Sequence, residues 1–206
     1  SRWTGTNELW LDLTGDRARP YDTIVGATNG SVAAVFIGGV ANYGDAGLGT
    51  LNLVDATVRS SNTAYAQLIN DTGSKPVVET AHKMGVSGDL PEVPSVVLGT
   101  GSVSVLDMAA GYNTFQREGN RIGPTVVTKV TDAKGRILYQ APTAGEQVLS
   151  PDVAQEVNWV MSQVVQRGTG TKAQYAQPAA GKTGTTENYR DAWFAGFACD
   201  LAAEGG

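Results

Sequence analysis

Apolar residues recur at helical spacing after residue 50, in segments bounded by polar capping residues and glycines. Between residues 51 and 58 they stand three or four positions apart, and Thr50 precedes them as the predicted N-cap. A polar break at residues 60–62 separates this helix from a second apolar-periodic run, which we expect to end at Gly73. The pattern therefore predicts two consecutive short helices joined by a tight polar connection.

Residues that favour helix starts and ends indicate further helices downstream. We predict one helix opened by Pro76 and closed by Gly85, one that follows a capping box of Ser104 and Asp107 and ends near Gly119, and one over residues 151–166 with Ser150 as its N-cap. The last of these has the clearest apolar stripe of the whole chain, and residues 168–170 are predicted to end it.

Short β-prone runs make up much of the remaining sequence. Residues 32–37 are one candidate strand, residues 125–131 and 136–140 form a predicted hairpin around residues 132–135, and residues 179–186 and 191–197 flank a polar turn at 187–190. Helices in the middle followed by strands at the end predict an α+β fold. No repeat or linker divides the sequence, so we expect residues 1–206 to belong to one domain.

Composition and charge argue against several classes of function. The chain has 41% hydrophobic and 17% charged residues, which is typical of a globular protein. Its net charge of −5 is spread along the sequence without a basic block, so a nucleic-acid partner is not expected. His82 and Cys199 are the single histidine and cysteine, whereas a zinc or iron site needs about three or four such ligands. We therefore expect neither a metal nor another cofactor.

The sequence contains no candidate membrane helix or signal peptide. No stretch approaches the roughly 18 consecutive apolar residues of a membrane span, and residues 1–20 contain several charged side chains. We expect any anchor or export signal of the protein to lie outside this chain.

The triplet Lys182-Thr183-Gly184 is the first candidate for chemistry, and it allows three interpretations. It can be a solvated edge strand without a function. With Ala176 separated from Gly181 by four intervening residues, it also fits a loosened phosphate-loop pattern, although the residues that follow are poor helix formers. In the third interpretation, a lysine beside threonine hydroxyls forms a cationic strand that binds a substrate carboxylate.

The second candidate is the triplet from Ser60 to Asn62, more than one hundred residues earlier. Taken alone, this triplet predicts only a polar turn between two helices. A Ser-x-Asn motif on such an interhelical loop, followed at this distance by Lys-Thr-Gly, resembles the transpeptidase domain of class A (bifunctional) penicillin-binding proteins. The resemblance extends over residues 40–198 and is strongest in the segments 42–68, 98–115, 148–173 and 179–197.

The resemblance implies a helical subdomain packed on an antiparallel sheet that is flanked by helices. It also implies a D,D-transpeptidase, in which the serine of a Ser-x-x-Lys motif attacks the carbonyl between two D-alanines of a peptidoglycan stem peptide and forms an acyl-enzyme. The implied partners are stem peptides and the lipid-linked precursor, with β-lactams as inhibitors. The implied location is the extracytoplasmic face of the bacterial membrane.

The resemblance also implies roles for individual residues. Ser60 would transfer protons, the amide of Asn62 would hold the peptide carbonyl of the substrate, and Lys182 would supply positive charge. The substrate-binding positions would be Thr183 and Thr185, whose hydroxyls hold the terminal carboxylate, and Gly184, which lets a ligand approach the backbone. The N–H of Thr185 would complete an oxyanion hole.

One expected motif is absent, because none of the serines of this chain is followed by lysine at the third position after it. By analogy with the family, we expect the nucleophile at or before Ser1, and the transpeptidase domain to be incomplete at both ends. The alternative is a non-catalytic module of the same fold that binds peptidoglycan or senses β-lactams. A serine β-lactamase is disfavoured, because no Glu-x-x-Leu-Asn follows residue 60.

Overall fold

The computed structural model describes residues 40, 42, 43, 48, 51–185 and 192–198. The α-helices of this part are α1 (Leu53–Val58), α2 (Asn62–Thr72), α3 (Ser74–Lys83), α4 (Val105–Gln116) and α5 (Pro151–Arg167), and short 3-10 helices cover Pro94–Leu98 and Thr171–Ala173. The predicted strand at residues 32–37 and the predicted turn at residues 187–190 lie outside the described residues.

The strands pair in three antiparallel, two-stranded sheets within the described residues. These pairs are β1 (Asn120–Arg121) with β4 (Glu146–Gln147), β2 (Lys129–Thr131) with β3 (Ile137–Gln140), and β5 (Ala179–Thr185) with β6 (Ala192–Ala198). The predicted hairpin at residues 125–140 and the predicted terminal strand pair are therefore confirmed, with shorter strands in the hairpin. The α+β class is confirmed as well.

Several helix ends follow the predicted capping chemistry. The Ser104 hydroxyl accepts the Asp107 backbone N–H at 3.0 Å at the start of α4, and Ser150 caps α5. Two predictions were wrong. The N-cap of α1 is Asn52, whose side chain accepts the Asp55 N–H at 2.8 Å, and not Thr50. Helix α3 begins at Ser74, so Pro76 lies within its first turn, where backbone N–H groups have no partner in the helix.

Helix α5 connects the two parts of the molecule that contain the candidate motifs. Its buried residues are Ala154, Met161, Val164 and Val165, and it packs against α1 and β5. The neighbouring helix α4 packs against α5 and β6. Because α5 contacts both α1 and β5, the connection that follows α1 lies beside strand β5.

Close approach within the β5–β6 pair depends on glycine. A Cβ atom on Gly181 would lie 2.6 Å from the ring of Phe194 and 2.7 Å from the carbonyl oxygen of Ala195. Gly181 is buried, and it stands directly before Lys182 on the strand. The backbone at the lysine is therefore held by its neighbours on β6.

In the described ranges, none of the helices combines the length and the apolar character that a membrane crossing requires.

Candidate active site

Ser60 occupies the turn by which helix α1 ends. The Ser60 N–H donates to the carbonyl oxygen of Thr57 at 3.1 Å, and the Ser61 N–H donates to that of Ala56 at 2.8 Å. This hydrogen-bond pattern is a Schellman motif, in which the residue at the position of Ser60 adopts the left-handed conformation. Ser60 has a φ of 55°, although glycine is the usual residue there. The chain therefore accepts a backbone cost at the position where a serine hydroxyl is present.

A buried polar network holds the two residues on either side of Asn62. The side-chain oxygen of Asn42 accepts hydrogen bonds from the Ser61 hydroxyl at 3.2 Å, the Thr63 N–H at 3.2 Å and the Thr63 hydroxyl at 3.3 Å. Ser61 also caps α2 through the N–H of Ala64 at 3.3 Å. Asn62 itself is the first residue of α2 and is half-buried. The network fixes the backbone on which Ser60 and Asn62 stand.

Lys182 lies in the middle of strand β5, where it pairs in register with Ala195 of β6. A phosphate loop requires its lysine at the entrance of a helix. The phosphate-loop interpretation was therefore wrong, since the residues before and after Lys182 continue the strand.

The two candidate motifs meet through the side chains of Lys182 and Ser60. The Lys182 ammonium donates a hydrogen bond of 2.7 Å to the Ser60 hydroxyl and one of 2.9 Å to the Thr183 carbonyl oxygen. Burial lowers the pKa of Lys182 from 10.5 to about 8, because a desolvated ammonium is less stable than a hydrated one. A lysine that is charged at neutral pH but close to losing its proton, and that touches a hydroxyl, can both bind an anion and take part in proton transfer.

The remaining candidate residues line the same end of β5. Thr183 is half-buried, whereas Gly184 and Thr185 are exposed and pair with Trp193 and Ala192 of β6. The Thr183 hydroxyl lies 2.6 Å from the hydroxyl of Thr169. A row of hydroxyls beside an ammonium group can hold a carboxylate.

Thr169 and Asn42 are the residues near this site that the sequence reasoning missed. Residues 168–170 were interpreted only as a helix end, and Asn42 only as part of a resembling segment. Both act through contacts with distant parts of the chain, for which neither periodicity nor capping rules provide a signal.

An open apolar groove lies between α3 and α4, away from the Ser60–Lys182 pair. Its volume is about 430 Å³, and its lining includes Val77, Met84, Met108, Tyr112 and Phe115. No charged side chain is among its lining residues. For a reaction at a peptide carbonyl, the polar Ser60–Lys182 pair is the better candidate site.

Comparisons with known proteins identify the family. The family profile described as "Penicillin binding protein transpeptidase domain" matches residues 34–202. The chain belongs to this family. This result confirms the resemblance to the transpeptidase domain of class A penicillin-binding proteins and the associated fold.

Individual relatives agree with the family profile. Penicillin-binding protein 1B of Escherichia coli is 38% identical over 153 residues, which are 72% of this chain and 18% of that protein. Penicillin-binding protein 1B of Haemophilus influenzae is 34% identical over 160 residues, covering 76% of this chain and 20% of that protein. The chain thus spans about a fifth of the length of these relatives.

A solved structure also matches the chain. The PonA1 protein from Mycobacterium tuberculosis in complex with penicillin V has a TM-score of 0.67 and 29% identity, over 77% of this chain and 48% of that chain. The fold that presents Ser60 and Lys182 to each other is therefore the fold of a penicillin-binding protein transpeptidase domain.

Proposed function

We propose that this chain supplies the carboxylate-binding and proton-transferring side of a D,D-transpeptidase site that cross-links peptidoglycan stem peptides. The observation that supports the proposal is the 2.7 Å hydrogen bond from Lys182 to Ser60, two residues that stand 122 positions apart. The transpeptidase family, to which the chain belongs, gives the reaction class.

In the proposed reaction, a serine hydroxyl attacks the carbonyl carbon between the two D-alanines of a stem peptide. The C–N bond breaks, an ester to the serine forms, and the terminal D-alanine leaves with a proton on its amine. The amine of a second stem peptide then attacks the ester, which forms the cross-link and returns the proton to the serine. A β-lactam follows only the first step, because its opened ring stays attached to the enzyme.

Each candidate residue has a role in this scheme. Ser60 passes protons between the nucleophile and the leaving amine, with Lys182 beside it, and Asn62 holds a peptide carbonyl of the substrate. The hydroxyls of Thr183 and Thr185 hold the terminal carboxylate against the positive charge of Lys182. Gly184 keeps the strand accessible to the peptide backbone, and the N–H of Thr185 binds the developing oxyanion.

None of the candidate residues named above is the nucleophile of this scheme, since no Ser-x-x-Lys occurs among the 206 residues. We propose that the natural full-length protein carries this motif and the domain's remaining parts. We further propose that it acts at the extracytoplasmic face of the membrane on stem peptides and their lipid-linked precursor, with an anchor outside this chain. The missing motif is also the observation that favours the second candidate, a non-catalytic module that binds peptidoglycan or β-lactams.

Mass spectrometry of the intact full-length protein after incubation with benzylpenicillin separates the two candidates. We expect a stable increase equal to the mass of the penicillin, on a serine encoded upstream of, or very near, Ser1. Boiled protein serves as the control for nonspecific acylation. A folded protein that acquires no adduct would contradict the transpeptidase proposal and favour the binding module.

A further inference from the structure

The segment from Arg167 to Gly170 contacts both halves of the candidate site. The Thr169 N–H donates to the carbonyl oxygen of Val58 at 3.3 Å, two residues before Ser60. The Thr169 hydroxyl lies 2.6 Å from the hydroxyl of Thr183, the residue after Lys182. Next to Thr169, the Arg167 guanidinium contacts the Asp55 carboxylate of α1 at 2.9 Å. One short segment is thus tied to α1, to the Ser60 turn and to strand β5.

Glycine makes this close approach possible. A Cβ atom on Gly168 would lie 2.5 Å from the carbonyl oxygen of Val58 and 2.9 Å from that of Val164. Both of these neighbours are backbone atoms, which cannot rotate away as a flexible side chain can. Thr169 is consequently brought against the Ser60 turn by its backbone, while its side chain reaches β5.

The chemistry of two adjacent hydroxyls suggests what this contact does. A threonine hydroxyl has one proton to donate and two lone pairs to accept with. A carboxylate accepts only, so Thr183 has to donate its single proton to a bound carboxylate. The hydrogen bond between the threonines must then run from Thr169 to Thr183. Donation to the Thr183 oxygen makes that hydroxyl a better donor, because chained hydrogen bonds polarise one another.

We propose that Thr169 is a positioning residue of the carboxylate site, whose hydroxyl orients and polarises the Thr183 hydroxyl toward the terminal carboxylate of the ligand. This inference rests on the proposed function for the identity of the ligand. It assigns Thr169 no contact with the reacting atoms, and it does not depend on where the nucleophile lies.

The test uses two ligands that differ only at the carboxylate. Calorimetry measures the binding of an N-acyl-D-Ala-D-Ala peptide and of its C-terminal amide to the full-length protein. Thr169→Val removes the hydroxyl at constant shape, and Thr169→Ser retains it. We expect Thr169→Val to weaken the binding of the peptide acid roughly two- to ten-fold, as for one lost hydrogen bond. The amide should bind unchanged, and Thr169→Ser should bind the acid like the wild type.

The outcomes separate a positioning role from a structural one. The inference is overturned if Thr169→Val weakens the binding of acid and amide equally, or if it leaves the binding of the acid unchanged. It is also overturned if Thr169→Ser does not restore binding of the acid, or if the wild type does not prefer the acid. The penicillin adduct is measured on the same samples. A wild type that prefers the acid but forms no adduct would contradict the transpeptidase proposal, while the acid-specific effect of Thr169→Val would still support the role of Thr169.

Discussion

At the scale of single residues, the candidate site depends on one lysine that is charged in a place where charge is costly. Lys182 is half-buried and donates to the Ser60 hydroxyl and to the Thr183 carbonyl oxygen. These partners are neutral, so they do not replace the full hydration of an ammonium, and its pKa falls to about 8. An anionic ligand would restore the favourable balance, which supports the proposal that this site binds a carboxylate.

The lowered pKa predicts how acylation depends on pH. Below a pH of about 8 Lys182 is charged and can hold the carboxylate, and above it the proton is lost. We expect the second-order rate constant of penicillin acylation by the free full-length enzyme to fall as the pH rises through about 8. Stopped-flow kinetics from pH 6 to about 10 measures this fall, which is the alkaline limb of the pH–rate profile. Lys182→Arg, which keeps its charge over this range, is expected to lose the limb.

Unfolding does not cause this fall in the acylation rate, because the lowered pKa of Lys182 makes its contribution to folding stability increase with pH. The unfolded lysine keeps its proton to a pH of about 10.4, whereas the folded one releases it near 8. Between these values the unfolded state binds more protons, so the contribution of Lys182 to folding stability rises with pH. A limb that starts only near the ordinary lysine pKa, or that persists in Lys182→Arg, would contradict the assignment.

At the scale of elements, the turn that ends helix α1 has backbone strain at one of the candidate site residues. The turn uses the hydrogen bonds of a Schellman motif, and its left-handed position is taken by Ser60 with a φ of 55°. An L-residue pays roughly 1–2 kcal/mol in that conformation, and glycine does not. Ser60 is strained where glycine would not be, and it is the Ser60 hydroxyl that accepts the hydrogen bond from Lys182.

A pair of substitutions at Ser60 isolates the backbone cost. Both Ser60→Gly and Ser60→Ala remove the hydroxyl, but only alanine remains strained in the left-handed conformation. We expect Ser60→Gly to be about 1 kcal/mol more stable than Ser60→Ala in denaturant unfolding. Ser162, inside α5, gives the matched control. There the order should reverse, because glycine costs about 1 kcal/mol relative to alanine inside a helix. An alanine variant at Ser60 as stable as the glycine variant would contradict the strain argument.

Local chemistry explains which elements could be predicted from the sequence. Ser104 and Ser150 cap α4 and α5 as predicted, and Gly73 ends α2, because each of these signals acts within a few residues. The two-residue strands β1 and β4 were missed, since so short a segment shows no alternation. The left-handed turn at Ser60 was also missed, because its position has no glycine to indicate it.

The candidate site was predictable only in part. Lys182 was a candidate because of its own triplet, whereas its association with Ser60 and Asn62 depended on the resemblance to a family, since no periodicity links residues so far apart. The contact of Lys182 with Ser60 joins positions separated by 122 residues, and that of Thr169 with Thr183 joins positions separated by 14. Such contacts arise from the packing of α5 against α1 and β5, which the sequence pattern does not specify.

At the scale of the whole molecule, helix α5 makes the site possible. It contacts α1 on one side and β5 on the other, and its buried residues include Val164, which is fully buried. The segment that leaves α5 then binds the Ser60 turn through Thr169. The site is consequently a product of tertiary packing, and it belongs to a chain that covers about a fifth of its relatives' length.

We propose that Ser60 and Lys182 act as one unit in acylation, and a double-mutant cycle measures the coupling between them. The second-order rate constant of benzylpenicillin acylation is measured for the full-length wild type, Ser60→Ala, Lys182→Ala and the double variant. We expect each single substitution to cost roughly 10- to 100-fold, as for a hydrogen bond to a charged group. Ser60→Ala combined with Lys134→Ala, an exposed lysine at the tip of the β2–β3 hairpin, serves as the control pair.

If the two residues act together, the double variant will be only about as slow as the slower single variant, since the interaction can be lost only once. The control pair should show no coupling, because Lys134 lies away from the site. If the losses from Ser60→Ala and Lys182→Ala instead multiply, or if neither substitution slows acylation, the claim that this pair forms the working part of the site is contradicted.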